Sequence, residues 1–166
     1  MSTNTTQPSA APFFRIDDRL IHGQVTVGWR QHLHLDAICI IDNDLATDPF
    51  LSDTLQLSAP QGITVQVCTV ENAAATLDKL AAQRILVLLK TPQTALQLYQ
   101  SGVLFETLNV GNIAAGPARK RVHKSIFLGP AEIIALDKLT QHGVHIFFQQ
   151  TPEEKQTAWK DIKHKI

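Results

Sequence analysis

Two uninterrupted apolar runs, AICII at residues 37–41 and ILVLL at residues 85–89, decide the fold class of this 166-residue chain. Neither run alternates with polar residues, which is the pattern of strands that are buried on both faces of a sheet. Strands of this kind occur in parallel sheets with helices packed on either side. The two runs therefore predict an α/β protein.

Further segments complete a set of about seven predicted strands. Ile63, Val65 and Val67 alternate with polar residues, which is typical of a strand nearer an edge of the sheet. The remaining predicted strands are short apolar segments at residues 13–16, 107–110, 125–128 and 144–148.

Helical patterns fill most of the gaps between these strands. An alanine-rich stretch opens at Glu71, and Pro92 follows Thr91, a predicted N-cap. Another helix is predicted to begin at Pro130. The last is predicted to start in residues 151–154 (TPEE), where a threonine cap precedes a proline and two acids.

The alternation of strands and helices predicts a single α/β domain with a mostly parallel sheet of about seven strands and helices on both faces. We expect this domain to span residues 12–166, after a disordered polar tail at residues 1–11 (MSTNTTQPSAA). In such a domain, ligands bind at the loops that follow the carboxyl ends of the strands.

The overall charge argues against several classes of partner. Fifteen Lys and Arg residues balance fifteen Asp and Glu residues. Without a basic excess, the sequence predicts no non-specific binding to nucleic acid or to an anionic membrane. No apolar run approaches the ~20 residues of a membrane span, and the N-terminus lacks a signal-peptide pattern, so we expect a cytoplasmic protein. Cys39 and Cys68 lie in apolar runs and are predicted to be buried, reduced residues.

The loop after the first predicted strand is rich in charged and potentially catalytic residues. Residues 15–22 (RIDDRLIH) hold two arginines, two aspartates and a histidine in a chain with 18% charged residues. His22 is expected at or just before the start of a helix, and its neutral imidazole offers a nucleophilic nitrogen. Arg19 could clamp phosphate oxygens, and an aspartate could hold the proton of the other ring nitrogen. These parts suit a histidine that carries a phosphoryl group; a charged loop whose histidine merely caps a turn explains them equally well.

Other motifs are incomplete. Residues 111–116 (GNIAAG) resemble the start of a phosphate-binding loop, but Pro117-Ala118 stands where Lys-Ser/Thr is required. The dinucleotide-binding glycine signature and the Gly-x-Ser-x-Gly elbow are absent. Two histidine pairs with metal-like spacing lack further ligands, so we expect no metal and no cofactor. These pairs are His32 with His34 and His142 with His145.

Residues 13–29 (FFRIDDRLIHGQVTVGW) resemble the active-site loop of IIB subunits of the bacterial phosphoenolpyruvate-dependent sugar phosphotransferase system, mannose/fructose/sorbose family. The similarity extends over residues 12–160. It includes the segments IIDNDLATDPF at 40–50, SAPQGITVQV at 58–67, LKTPQTALQLYQSGV at 89–103, LNVGNIAAGPARKRVHKSIFL at 108–128 and LTQHGVHIFFQQTPEE at 139–154.

The resemblance implies a phosphotransferase IIB domain over residues 12–166, with His22 as a phosphohistidine intermediate modified on Nδ1, the pros nitrogen. The donor would be a phosphorylated IIA subunit, and the acceptor a sugar held by the membrane subunits IIC and IID. Asp17 and Arg19 match family residues that support the loop and the phosphoryl group. The expected location is the cytoplasm, in peripheral association with the permease complex, and a homo-oligomer is compatible with the resemblance.

Two alternatives stay open at this point. A non-catalytic regulatory module would use the same anion-binding loop to sense a phosphorylated partner. Within the family, mannose, fructose and sorbose members usually carry glycine after residues 109–111 (NVG), whereas this chain has Asn112. The asparagine is more similar to the N-acetylgalactosamine/galactosamine branch.

Overall fold

The structure, a computed structural model, describes residues 10–166. The strands in this part of the chain are β1 Phe13–Asp17, β2 Ala37–Ile41, β3 Thr64–Cys68, β4 Ile85–Leu89, β5 Thr107–Asn112, β6 Lys120–His123, β7 Ile126–Leu128, β8 His145–Phe148 and β9 Thr157–Ala158. Seven of them form one sheet in the order β3-β2-β4-β1-β5-β8-β9, and β6 and β7 form a separate two-stranded sheet.

The α-helices of the same residues are α1 Arg30–Leu33, α2 Asn43–Thr47, α3 Pro49–Leu57, α4 Ala73–Lys79, α5 Pro92–Gln100, α6 Pro130–Gln141 and α7 Trp159–Lys163. A π-helical segment, Gln24–Trp29, leads directly into α1. Among the helices of residues 10–166, none combines the length and the apolar character that crossing a membrane requires.

The main sheet is parallel except at one edge. β1 lies between β4 and β5 and is parallel to both, and β2, β3 and β8 keep the same direction. Only β9 runs antiparallel, against β8. The predicted fold class, a mostly parallel sheet of about seven strands in an α/β domain, is confirmed, and the alternating strand β3 lies at an edge as expected.

Apolar side chains cover both faces of this sheet. On one face, Phe14 and Ile16 of β1 belong to a core completed by apolar residues of α4, α5, α6 and α7. On the other face, Leu86 and Leu88 of β4 belong to a core that includes Val25 of the π-helical segment and apolar residues of the first three helices. Strands β2 and β4 are therefore buried throughout, because helices flank them on both sides.

Three predicted helices are confirmed, and two of them begin at the proline that marked them in the sequence. Thr91 accepts a hydrogen bond from the backbone N–H of Thr94, and Pro92 is the first residue of α5. Pro130 begins α6, and Gly143, at φ +91°, follows the end of that helix. The alanine-rich stretch becomes α4, which begins two residues after Glu71.

Two local predictions are wrong. Residues 125–128 were expected in the main sheet, but Ile126–Leu128 pairs with β6 as a hairpin, and β9 is the seventh strand of the sheet. Residues 151–154 do not begin a helix, which starts only at Trp159. The side-chain amide of Gln149 donates to the carbonyls of Pro152 and Glu154, at 3.2 and 2.9 Å, and these bonds hold the segment in a turn.

Two further regions differ from the sequence patterns. Helices α2 and α3 follow β2, where the sequence indicated only an acidic loop; Asp42 and Asp48 cap them by accepting the backbone N–H groups of Leu45 and Leu51. Of the predicted disordered tail, residues 1–9 lie outside the described residues. Residues 10–11 have no regular secondary structure.

Candidate functional site

The charged loop lies at the carboxyl end of β1, in the middle of the sheet. A bulge in the neighbouring strand shapes this edge: Ile16 pairs with Val110, whereas Asp17 pairs with Asn112, so Gly111 is an extra residue in β5. Bulges bend a strand locally and redirect its side chains, and they are frequent next to active sites.

Arg15 is the buried centre of the site, with a fully inaccessible side chain. Its Nη1 donates to the side-chain oxygen of Asn109 and to the carbonyl of Gln149, and its Nη2 donates to Asp17 Oδ2 and to the carbonyl of Gln150. Burial lowers the pKa of Arg15, while the adjacent Asp17 carboxylate raises it. The four acceptors compensate for much of the cost of removing a guanidinium from water.

Trp29, in the π-helical segment, packs against the buried Arg15. The Arg15 guanidinium carbon lies 5.0 Å from the centroid of the Trp29 ring, a cation–π distance. The indole N–H of Trp29 donates to the carbonyl of Gln150 at 3.1 Å, the same carbonyl that accepts from Arg15. The segment after His22 is thereby fixed to the segment that follows β8.

Gly111 is required by the position of Arg15. A Cβ atom at residue 111 would overlap the Arg15 guanidinium, which lies directly against the glycine backbone. Only a residue without a side chain lets the two strands keep this arrangement, so the bulge at Gly111 and the buried arginine belong together.

Asp17 gathers three side chains on one buried carboxylate. Its Oδ1 accepts from Nε of Arg19 at 3.0 Å, and its Oδ2 accepts from Nη2 of Arg15 at 2.9 Å and of Arg19 at 3.1 Å. Nε2 of His22 lies 2.9 Å from Oδ2. Burial raises the pKa of Asp17, but the hydrogen bonds from His22 and Arg19 and the charge of Arg15 outweigh it and hold the pKa well below its usual range.

This geometry fixes the protonation pattern of the His22 ring. An ionised carboxylate only accepts hydrogen bonds, so Nε2 of the neutral ring carries the proton and Nδ1 keeps its lone pair. The side chain of His22 is 17% exposed. In this tautomer, Nδ1 is an unprotonated nitrogen nucleophile near the surface, with a carboxylate behind the ring.

A strained backbone turn separates the exposed Arg19 from the partly buried His22. Leu20 has φ +58°, a left-handed conformation that is uncommon for a bulky residue, and its N–H donates to the carbonyl of Asp17. The Leu20 side chain is buried in the core, which compensates for the strain. The turn folds the chain back, so that Arg19 before the turn and His22 after it both reach the Asp17 carboxylate.

The structure brings together the three residues expected at the site, Asp17, Arg19 and His22. It adds partners that sequence reasoning did not select, foremost Arg15. Gln24, which had no expected role, accepts a hydrogen bond from Nη2 of Arg19 at 3.1 Å. The position of Arg15 in a strand could have identified it as a site residue. Arg15 and Asp17 are two residues apart, so their side chains lie on the same face of β1, and the other residues of the strand are apolar.

The remaining candidates lie outside this site. The side chains of residues 10–166 contain no group of three or more His, Cys, Asp or Glu that could hold a metal ion. Cys39 and Cys68 are buried as predicted, with their sulfur atoms 3.9 Å apart and no disulfide.

Comparisons with known proteins agree on one family. The model of the family described as PTS system sorbose subfamily IIB component matches residues 11–166. The chain is 35% identical over 134 residues to the sorbose-specific EIIB component of Klebsiella pneumoniae, covering 80% of this chain and 82% of that protein. It is 31% identical over 141 residues to the N-acetylgalactosamine-specific phosphotransferase enzyme IIB component 2 of Escherichia coli K12, covering 84% and 90% of the two chains.

A solved structure extends the likeness to three dimensions. The IIBSor domain of the sorbose permease from Klebsiella pneumoniae superposes with a TM-score of 0.85 at 30% identity, covering 92% of this chain and 95% of that chain. Fold and sequence together define a phosphotransferase subunit. The chain belongs to the sorbose subfamily of IIB components of the sugar phosphotransferase system.

Family membership establishes the function in outline. IIB components are the phosphoryl-transfer subunits of sugar uptake systems; they accept phosphate from a IIA subunit and transfer it to the sugar. The resemblance noted in residues 13–29 is thereby confirmed. The alternative of a non-catalytic regulatory module finds no support among these relatives.

The close approach of Arg15 to Gly111 yields a stability prediction. Gly111→Ala is expected to lower the free energy of unfolding by about 3 kcal/mol, because the new methyl group overpacks the strand pair and displaces a buried charge from its acceptors. Urea denaturation measures the change. Gly23→Ala is the matched control, since a Cβ at residue 23 has nothing within 4 Å, and its effect should stay within about 0.5 kcal/mol. Equal stability of Gly111→Ala and wild type would contradict the packing argument.

Proposed function

We propose that His22 carries the phosphoryl group, on Nδ1, during its passage from the IIA subunit to the sugar. The observation on which the proposal depends is the 2.9 Å contact between His22 Nε2 and Asp17 Oδ2. It leaves Nδ1 as the ring nitrogen with a free lone pair, at the carboxyl edge of a parallel sheet where ligands of such folds bind.

The transfer step needs no proton abstraction. The Nδ1 lone pair attacks the phosphorus atom of the donor phosphohistidine; an N–P bond forms at His22 while the N–P bond of the donor breaks, and its electron pair stays on the donor ring. The Nε2 proton remains in place, so the His22 ring becomes positively charged. The Asp17 carboxylate stabilises that charge, and positioning and electrostatics account for the catalysis.

Arg19 is proposed to bind the phosphoryl oxygens. Its Nε and Nη2 donate to Asp17, and Nη2 also donates to Gln24, so the planar guanidinium is held in one orientation. Its Nη1 donates to no protein atom within residues 10–166, and the side chain is 37% exposed. A fixed guanidinium with a free N–H edge suits a phosphoryl group that arrives from solvent.

The family implies a IIA donor and the membrane subunits IIC and IID. We propose that this chain takes its phosphate from a phosphorylated IIA subunit and meets the sugar at IIC and IID, as a cytoplasmic protein associated peripherally with the permease. A homo-oligomer stays a prediction. Asn112 favours N-acetylgalactosamine or galactosamine as the sugar. The sugar can be identified by incubating the phosphorylated protein and its membrane partners with several sugars and finding which one removes the phosphate.

The first prediction concerns the carrier residue. His22→Ala should fold normally but accept no phosphate from phosphoenolpyruvate, the general phosphotransferase proteins and a cognate IIA subunit. The label on the wild type should be lost in acid, because a phosphoramidate hydrolyses on protonation. Variants of His32, His34 and His145 are the matched controls and should still be labelled. Undiminished labelling of His22→Ala would exclude His22 as the carrier, and a wild type never labelled by any IIA subunit would favour a regulatory module.

The second prediction concerns the shape of the Arg19 side chain. Arg19→Lys keeps the charge but loses the planar fork, so it should slow transfer more than it disturbs folding. Loss of one charge-assisted contact that tightens in the transition state costs ~1.5–3 kcal/mol, roughly 10- to 150-fold in rate. Rapid-quench kinetics in both directions measures the effect. Unchanged rates would reduce Arg19 to an ion-pair partner of Asp17.

The third prediction concerns the orienting role of Asp17. Nitrogen-15 NMR of the His22 ring should find Nε2–H as the main neutral tautomer in the wild type and a more even mixture in Asp17→Asn, because a neutral amide orients the ring less strongly than a carboxylate. The variant should retain slow transfer without a steep new dependence on pH. If both proteins have the same tautomer populations, Asp17 does not orient the ring and instead supports the loop through its arginines.

A further inference from the structure

Asp18, the neighbour of Asp17, makes contacts that the transfer step does not use. Its Oδ1 accepts a hydrogen bond from Nδ2 of Asn112 at 2.6 Å, and its Oδ2 accepts one from the backbone N–H of Ala114 at 2.7 Å. The backbone N–H of Asp18 donates to the carbonyl of Asn112 at 3.2 Å. Asp17 therefore holds the His22 ring, whereas Asp18 holds the chain that leaves β5.

That chain forms a segment, residues 114–119, which we call the wall segment. It lies between β5 and β6 without regular secondary structure, and Ala114, Ala115, Pro117 and Ala118 are exposed. Arg119 fixes its far end: Nη1 donates to the carbonyl of Ala114 at 3.1 Å, and Nη2 contacts Glu132 Oε1 at 3.0 Å. The segment is thus attached at one end to the loop of His22 and at the other to α6.

We propose that Asp18 is a positioning residue: it holds the wall segment against the His22 loop as part of the surface on which the phosphorylated IIA subunit docks. Transfer between two proteins requires the donor histidine to reach Nδ1 of His22, so the donor must cover the surface next to this loop. A fixed wall with small side chains permits that close approach. The inference rests on the proposed function, with IIA as the donor.

The chemistry of the Asp18–Asn112 contact provides a specific perturbation. Asn112→Asp places two carboxylates within hydrogen-bond distance, and their repulsion should detach the wall segment from the His22 loop. Asp18→Asn alone should have little effect, because the Asn112 amide can turn over and accept the new N–H group. The double variant Asp18→Asn/Asn112→Asp restores one donor and one acceptor between the two side chains with their roles exchanged, and the remaining amide oxygen at residue 18 can still accept from the backbone N–H of Ala114.

The test measures transfer to the full chain at increasing concentrations of phosphorylated IIA subunit. Asn112→Asp should raise KM about tenfold with kcat little changed, and the double variant should return KM to within about threefold of wild type. Labelling by phosphoramidate, a small donor that needs no docking surface, should proceed at the wild-type rate in every variant. Gln56→Glu, at an exposed position on α3, adds the same negative charge and is the charge-matched control.

The outcomes separate the hypotheses. An unchanged KM in Asn112→Asp, or a folded double variant without rescue, overturns the positioning role. Equal slowing with IIA and with phosphoramidate also overturns it, since Asp18 would then act on the His22 ring itself. If Asn112→Asp fails to fold, Asn112→Ala removes the contact without repulsion and should still raise KM several-fold. A wild type that is labelled by phosphoramidate but by no IIA subunit means that the proposed function has failed.

Discussion

The ion pair between Arg15 and Asp17 is the interaction on which the rest of this structure depends. Both side chains are fully buried at the centre of a parallel sheet, where removal of one partner would cost about 3–5 kcal/mol. The cost of burying them explains several otherwise unrelated features. These are the bulge at Gly111, the two carbonyls of residues 149–150 that face the guanidinium, and the Trp29 ring beside it.

The same pair both stabilises the fold and positions the residues of the candidate site. Arg15 uses its guanidinium to connect β1 and β5 to the segment after β8. Asp17 uses the same carboxylate that binds Arg15 to orient His22 and Arg19. A carboxylate with so many donors is rigid and resists protonation, as the lowered pKa of Asp17 indicates. The loop therefore takes its geometry from the fully buried pair of Arg15 and Asp17 on which it is built.

The sequence predicted the parts of this protein that depend on local patterns. Continuous apolar runs identify β2 and β4, and a proline after a cap identifies α5, since burial and capping leave a periodic or positional trace. The cluster of Asp17, Arg19 and His22 was also recognisable, because its members lie within one short loop.

What the sequence could not supply depends on distant contacts. Arg15 binds carbonyls 134 and 135 residues further along the chain, and no spacing rule reports such a pair. The segment at 151–154 has good helix-starting residues, yet hydrogen bonds from Gln149 hold it in a turn. The sequence around Gly111 does not show why a glycine is needed there. The reason is the Arg15 guanidinium, which occupies the space that a Cβ atom at residue 111 would fill.

The hydrogen bond at Nε2 also determines how the protein has to move. A ring attached to a buried carboxylate cannot swing from a donor on one side to an acceptor on the other. With His22 as the carrier, both partners must therefore approach the same nitrogen from the same direction and occupy the surface in turn. Under that proposal, the IIA subunit and the permease would compete for one face of the protein. The chain would have to release one partner before it engages the other, so an excess of either would slow the cycle that it serves.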